Sequence, residues 1–120
     1  MRLLCLFYLA STLSFAGTWF GRLVDTKCYE AAERNINPTS TLMYVNRDQN
    51  AEILYCSPKA KTTSFTIVEP SGMSFRLDSA GDVQASELLR KTGRRSGVYV
   101  NVTGELTKNM IEVNSIAPAK

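Results

Sequence analysis

From Ser64 onward the chain runs in a two-residue rhythm, and that rhythm limits the folds open to it. Apolar and polar residues alternate in Ser64-Phe65-Thr66-Ile67-Val68 and again in Met73-Ser74-Phe75-Arg76-Leu77-Asp78, on either side of Pro70-Ser71-Gly72. Successive side chains of a strand point to opposite faces, so this reads as a β-hairpin with Phe65, Ile67, Met73, Phe75 and Leu77 toward a core. A second hairpin follows, in which Val98, Val100 and Val102 alternate with Tyr99, Asn101 and Thr103. Leu106-Thr107-Lys108-Asn109 turns it, and Ile111 and Val113 alternate with Glu112 and Asn114. Gly104 predicts a bulge or bend, and Ile116, out of phase, a second irregularity. Between the hairpins the period changes. Asp82 is placed to N-cap a helix over Val83 to Lys91, with Ala85, Leu88 and Leu89 as its apolar stripe, Arg90 and Lys91 in the last turn and Gly93 as the stop.

Thr18-Trp19-Phe20-Gly21-Arg22-Leu23-Val24-Asp25, aromatic and β-branched, reads as the first strand. From about 27 to 62 the signals weaken. Ala31-Ala32-Glu33-Arg34 suits a turn or two of helix, Asn37-Pro38-Thr39-Ser40 breaks it, and Leu42–Val45 and Ala51–Tyr55 are short apolar patches. The predicted order is strand, long insertion, strand, strand, helix, strand, strand. That is mostly β with one helix, and it is the layout of an OB-fold-like five-stranded barrel plugged by its helix. A small α+β roll or sandwich is the alternative. Residues 17–117 form the expected single domain, with 118–120 a frayed tail.

The first 16 residues carry a different signal. Arg2 precedes an apolar stretch from Leu3 to Leu13, and Ser14-Phe15-Ala16 offers small residues ahead of Gly17. This is the pattern of a secretory signal peptide cleaved between Ala16 and Gly17, and it predicts export to the periplasm or beyond. A membrane span needs about 20 apolar residues, so no transmembrane segment is expected once the leader is removed. Taking 16 residues from 120 leaves 104, drops the charge from +3 to +2, and removes Cys5. Two cysteines remain, Cys28 and Cys56, and an even count in an exported chain predicts a disulfide. Such a bond would tether the insertion at its ends.

There is no His anywhere in the chain. Ser-His-Asp triads, Cys-His pairs and His-ligated metals are thereby excluded from this polypeptide alone. The cysteines do not form C-x-x-C, no Ser-x-x-Lys or nucleotide loop occurs, and no cofactor or metal is expected. Asp25, Glu30 and Glu33 are the one carboxylate cluster beside a cysteine. A hard cation wants about six to eight oxygen ligands, so solvated surface charge is the reading for them. Arg90, Lys91, Arg94 and Arg95 form the densest basic run, a candidate contact for an anionic polymer, against the plain alternative of a solvated helix end. The outer face of the first hairpin would show Ser64, Thr66, Val68, Ser74, Arg76 and Asp78. It has no aromatic platform, which disfavours single-stranded nucleic acid. Tyr44, Tyr55 and Tyr99 are candidates for carbohydrate stacking, with packing the expected role of each.

Several stretches taken together resemble a known group. They are Thr18–Asp25 with Cys28 behind, Cys56-Ser57-Pro58 leading to Thr63-Ser64-Phe65, Ser71–Asp78, Ala80-Gly81-Asp82, Val100–Leu106 and Ile111–Ile116. The chain resembles small, exported bacterial proteins with an OB-like domain of unknown function. The resemblance spans the chain after the leader except the middle of the insertion, and its motifs are structural. It implies a fold and an exported location, and it transfers no catalytic residue. Members of the group often carry extra cysteines or histidines in the insertion, and this chain has none there.

The expected function is an exported binding or interaction module without catalytic activity, its partner an anionic polymer or an envelope protein. A His-free hydrolase or lyase is the first alternative, which a pocket gathering two carboxylates with an Arg would favour. An envelope structural or stress protein is the second, favoured by an exposed apolar patch within 40–56.

Overall fold

A computed structural model describes residues 15–34 and 49–119. Residues 1–14 of the expected leader, the Leu42–Val45 patch and Tyr44 lie outside the described residues.

Five strands close into a barrel in the order β1-β2-β3-β5-β4. They are β1 (Phe15–Asp25), β2 (Phe65–Val68), β3 (Ser74–Leu77), β4 (Tyr99–Thr107) and β5 (Met110–Pro118). Strand β1 is long because it serves two neighbours. Phe15 through Arg22 pair with β4, and Arg22 through Asp25 pair with β2. Closure comes from a short parallel contact, Arg76↔Met110 and Leu77↔Ile111, between β3 and β5. This is the OB-like barrel that the alternating hairpins predict. β1 starts ahead of the Ala16–Gly17 junction, and the pairs from Gly17↔Gly104 to Arg22↔Tyr99 lie wholly on the downstream side.

Among the described residues three helices accompany the barrel, where the sequence pattern predicts one: α1 (Thr26–Arg34), α2 (residues 49–55) and α3 (Ser79–Thr92). The two extra helices come from the insertion. Helix α3 plugs the barrel with Ala85, Leu88 and Leu89 buried, as its stripe predicts, and Gly93 closes it in the left-handed conformation. Its start differs from expectation. Asp78, not Asp82, is the N-cap, accepting from the Gly81 N–H at 2.9 Å, and the same Oδ1 accepts from Val113 N–H at 3.2 Å.

The two irregularities of the second hairpin are a single bulge. Thr103 pairs with Ser115 and Gly104 with Val113, so Asn114 is the extra residue, and Ile116 thereby turns back toward the core. Gly104 is required there, since a Cβ would lie 2.1 Å from the Glu112 carbonyl oxygen. The end of the chain is more ordered than the frayed tail predicts. Pro118 pairs with Val100, and the Ala119 N–H donates to the Tyr99 carbonyl at 2.9 Å.

The barrel interior holds Leu23, Phe65, Ile67, Leu77, Val100, Val102, Ile111 and Val113 against α3. Met73, predicted to join them, stands 57% exposed, because the hairpin turn carries it beyond the edge of the sheet. A second core lies outside the barrel, where Val24 and Val68 meet Tyr29 of α1 and Ile53 and Cys56 at α2. Strand β2 is therefore buried on both faces.

Candidate functional site

The insertion builds the site by covering part of one barrel face. Asp25 caps α1, accepting from the Cys28 N–H at 3.0 Å. The Cys28–Cys56 disulfide, with Cα atoms 5.5 Å apart, joins α1 to the end of α2, as the cysteine count predicts. Backbone bonds seat the junction, with Asp25 N–H donating to the Cys56 carbonyl at 2.8 Å and Thr26 N–H to that of Ser64 at 2.9 Å. At the other end of α2, the Gln49 amide donates to the Tyr29 hydroxyl at 3.2 Å and to the Gly72 carbonyl at 3.3 Å. Thr66 and Val68, expected on an open outer face, are buried under these helices, and Thr66 shares a 2.8 Å hydroxyl bond with Thr26. Ser74 and Arg76 of β3 stay exposed as predicted, beyond the reach of the cover.

Where the cover stops, a cleft of about 530 Å³ opens, lined by Tyr29, Glu30 and Glu33 of α1, Thr66 of β2, Ser74 and Arg76 of β3, and Asn109 of the β4–β5 turn. Its position, on the β2–β3 face between the first and last interstrand connections, is where OB barrels commonly take ligands. Glu30 and Glu33, read from sequence as surface charge beside Asp25, are one helical turn apart on α1 and line the cleft together. Asp25 is withdrawn to its capping role. Tyr29 is only 3% exposed. Burial raises its pKa, the Gln49 bond offsets part of that, and the nearby carboxylates of Glu33 and Glu52 raise it further, so the phenol keeps its proton. In the sequence Arg76 is one of six outward residues of the first hairpin, and no local pattern says that α1 packs beside it.

The side chains of the basic run lie in different surroundings. Arg90 forms an ion pair with Glu87 one turn earlier, and Lys91 lies along the α3–β5 groove. Arg95 points its guanidinium at the Lys59 carbonyl, 3.5 Å away. Arg94 alone reaches an aromatic surface, a second cleft that it lines with Phe20, Pro70, Gly97, Tyr99 and Ala119. Tyr99 is half-buried and stacked on Phe20, within the packing expected of it, whereas Tyr55 is 77% exposed and is not packed away. Leu54 stands exposed beside Tyr55 on α2, within the described part of 40–56.

Among the described residues no group of three or more His, Cys, Asp or Glu is placed to hold a metal ion, and no helix is long and apolar enough to cross a membrane. Comparison of the chain with protein-family models, curated proteins and solved structures finds no match.

Proposed function

We propose that this protein is an exported binding module that holds a small ligand bearing both charges in the α1–β3 cleft. One observation carries the reading: carboxylates on α1, Glu30 and Glu33, and a guanidinium on β3, Arg76, line the same cleft, with Ser74 and Asn109 beside them. An amino acid or short peptide has the matching chemistry, its ammonium toward the glutamates and its carboxylate toward Arg76. The disulfide supports an oxidising compartment, periplasmic or extracellular, in keeping with the leader and with the resemblance to exported bacterial proteins.

The same gathering of two carboxylates with an Arg favours a second reading, a hydrolase or lyase in which Glu30 or Glu33 moves a proton. Calorimetry with a dipeptide panel, followed by mass analysis of the recovered peptide, separates the two. The binding reading expects saturable heat, intact peptide, and a loss of affinity of about tenfold or more in Glu33→Gln and in Arg76→Ala. Cleaved peptide would transfer the case to the enzymatic reading. No heat from any dipeptide would remove the ligand class.

A further inference from the structure

The second cleft has a chemistry of its own. Phe20 and Arg22 point outward from β1, and Tyr99 opens β4 directly opposite Arg22. The rings of Phe20 and Tyr99 stack with centroids 5.3 Å apart and planes 20° from parallel. The Arg22 guanidinium lies 5.4 Å from the Tyr99 centroid, and its Nη2 donates to the Asn50 side-chain oxygen at 2.6 Å. Tyr99 is thus in contact with both Phe20 and an anchored Arg22. Yet Phe20 is 40% exposed and Tyr99 nearly the same, so the barrel spends an ordered aromatic pair on its surface without burying it. The space in front of them measures about 630 Å³, and Arg94 supplies the charge among its lining residues.

We propose that this cleft binds acidic polysaccharide, with the apolar face of one uronate ring against the exposed part of the stacked Phe20–Tyr99 pair and its carboxylate against Arg94. A pyranose ring presents C–H groups on one face and suits one aromatic surface. A polyphosphate backbone needs a track of cations instead. No such track is formed here: Arg90 is paired with Glu87, Arg95 turns toward Lys59, and Arg22 is engaged by Tyr99 and Asn50. One cation beside one platform fits one carboxylate per sugar. This site does not involve the α1–β3 cleft, so either can fail without the other.

Titration of the disulfide-intact protein with oligogalacturonate, dextran and oligothymidylate tests the assignment. Oligogalacturonate is expected to bind, more weakly as salt rises, and dextran is not. Tyr99→Ala and Arg94→Ala should each weaken binding about tenfold, while Tyr99→Phe and Arg95→Ala should change it less than about twofold. Glu33→Gln should leave it unaltered. Absence of oligogalacturonate binding, equal binding of dextran, tighter binding of oligothymidylate, or indifference to Arg94→Ala in a protein with an unchanged circular dichroism spectrum would each overturn it.

Discussion

Asp25 closes β1 and opens α1, and its two carboxylate oxygens serve different parts of the chain. Oδ1 accepts from the Cys28 N–H, and Oδ2 accepts from the Thr62 hydroxyl at 2.7 Å, which itself accepts from the Lys59 N–H. Burial pushes this carboxyl up, but the bonds from Thr62, Cys28 and Lys27 and the charge of Lys59 outweigh it and leave the pKa below its ordinary value. A folded-state pKa that is lowered gives stability present above the unfolded value and lost as pH falls through the folded one. Asp25→Asn should therefore cost about 1 kcal/mol in urea unfolding at neutral pH, and the gap to the parent should shrink in acid. Asp82 works in the opposite direction. Burial raises its pKa more than the Phe65 N–H bond and Arg76 lower it, and Asp78 adds to the rise, so its contribution improves as pH falls. In the sequence pattern Asp78 is the last outward residue of the first hairpin, so the cap falls to Asp82. Position 81, inside α3, takes Gly because a Cβ there would meet the Leu77 Cβ at 2.8 Å and a Val113 methyl at 2.5 Å, a long-range fact no local pattern contains.

The insertion is the element whose shape was least legible. Its cysteines and the turn-like Ala31–Arg34 were readable, and the pairing of Cys28 with Cys56 followed from their number. Helix α2 and the first part of α1 were not, because each is short and draws its order from contact with β1 and β2 more than from its own propensity. The same contact hid the site. Alternation in β2 marks Thr66 and Val68 as outward, and outward meant exposed until the helices were laid over them. With the cysteines at a sequence separation of 28, the chain-entropy estimate for their bond is about 3–4 kcal/mol. The Cys28→Ser, Cys56→Ser double variant should lose stability of that order in denaturant titration. Hydrogen exchange should locate the largest loss of protection in α1 and α2, with β4 and β5 changed least.

At the scale of the molecule, two apolar clusters share one sheet. The inner cluster is sealed by α3, and the outer one by α1, α2 and the disulfide. Ile111 is fully buried at the parallel seam between β3 and β5, so it touches the contact that completes the barrel. Ile111→Ala should lower global stability by about 2–5 kcal/mol and speed exchange throughout. Ile53→Ala removes a residue of similar burial from the outer cluster. Its effect should be concentrated in exchange of α1 and α2, and the melting of the barrel should move less. The barrel was legible because β3, β4 and β5 keep one face in water and so alternate, apart from the bulge in β5, whereas β2 and the end of β1 lie under the helices.

The pinning of both insertion ends beside β1 has a consequence for how such a chain can diverge. Loop closure grows only with the logarithm of length, and here the closing contact is covalent and sits outside the strand register. What lies between Cys28 and Cys56 can therefore be lengthened, shortened or exchanged while the strand ladder stays as it is. The barrel acts as a fixed socket and the tethered segment as its adjustable head, within the limit that Tyr29 and Ile53 keep Val24 and Val68 covered.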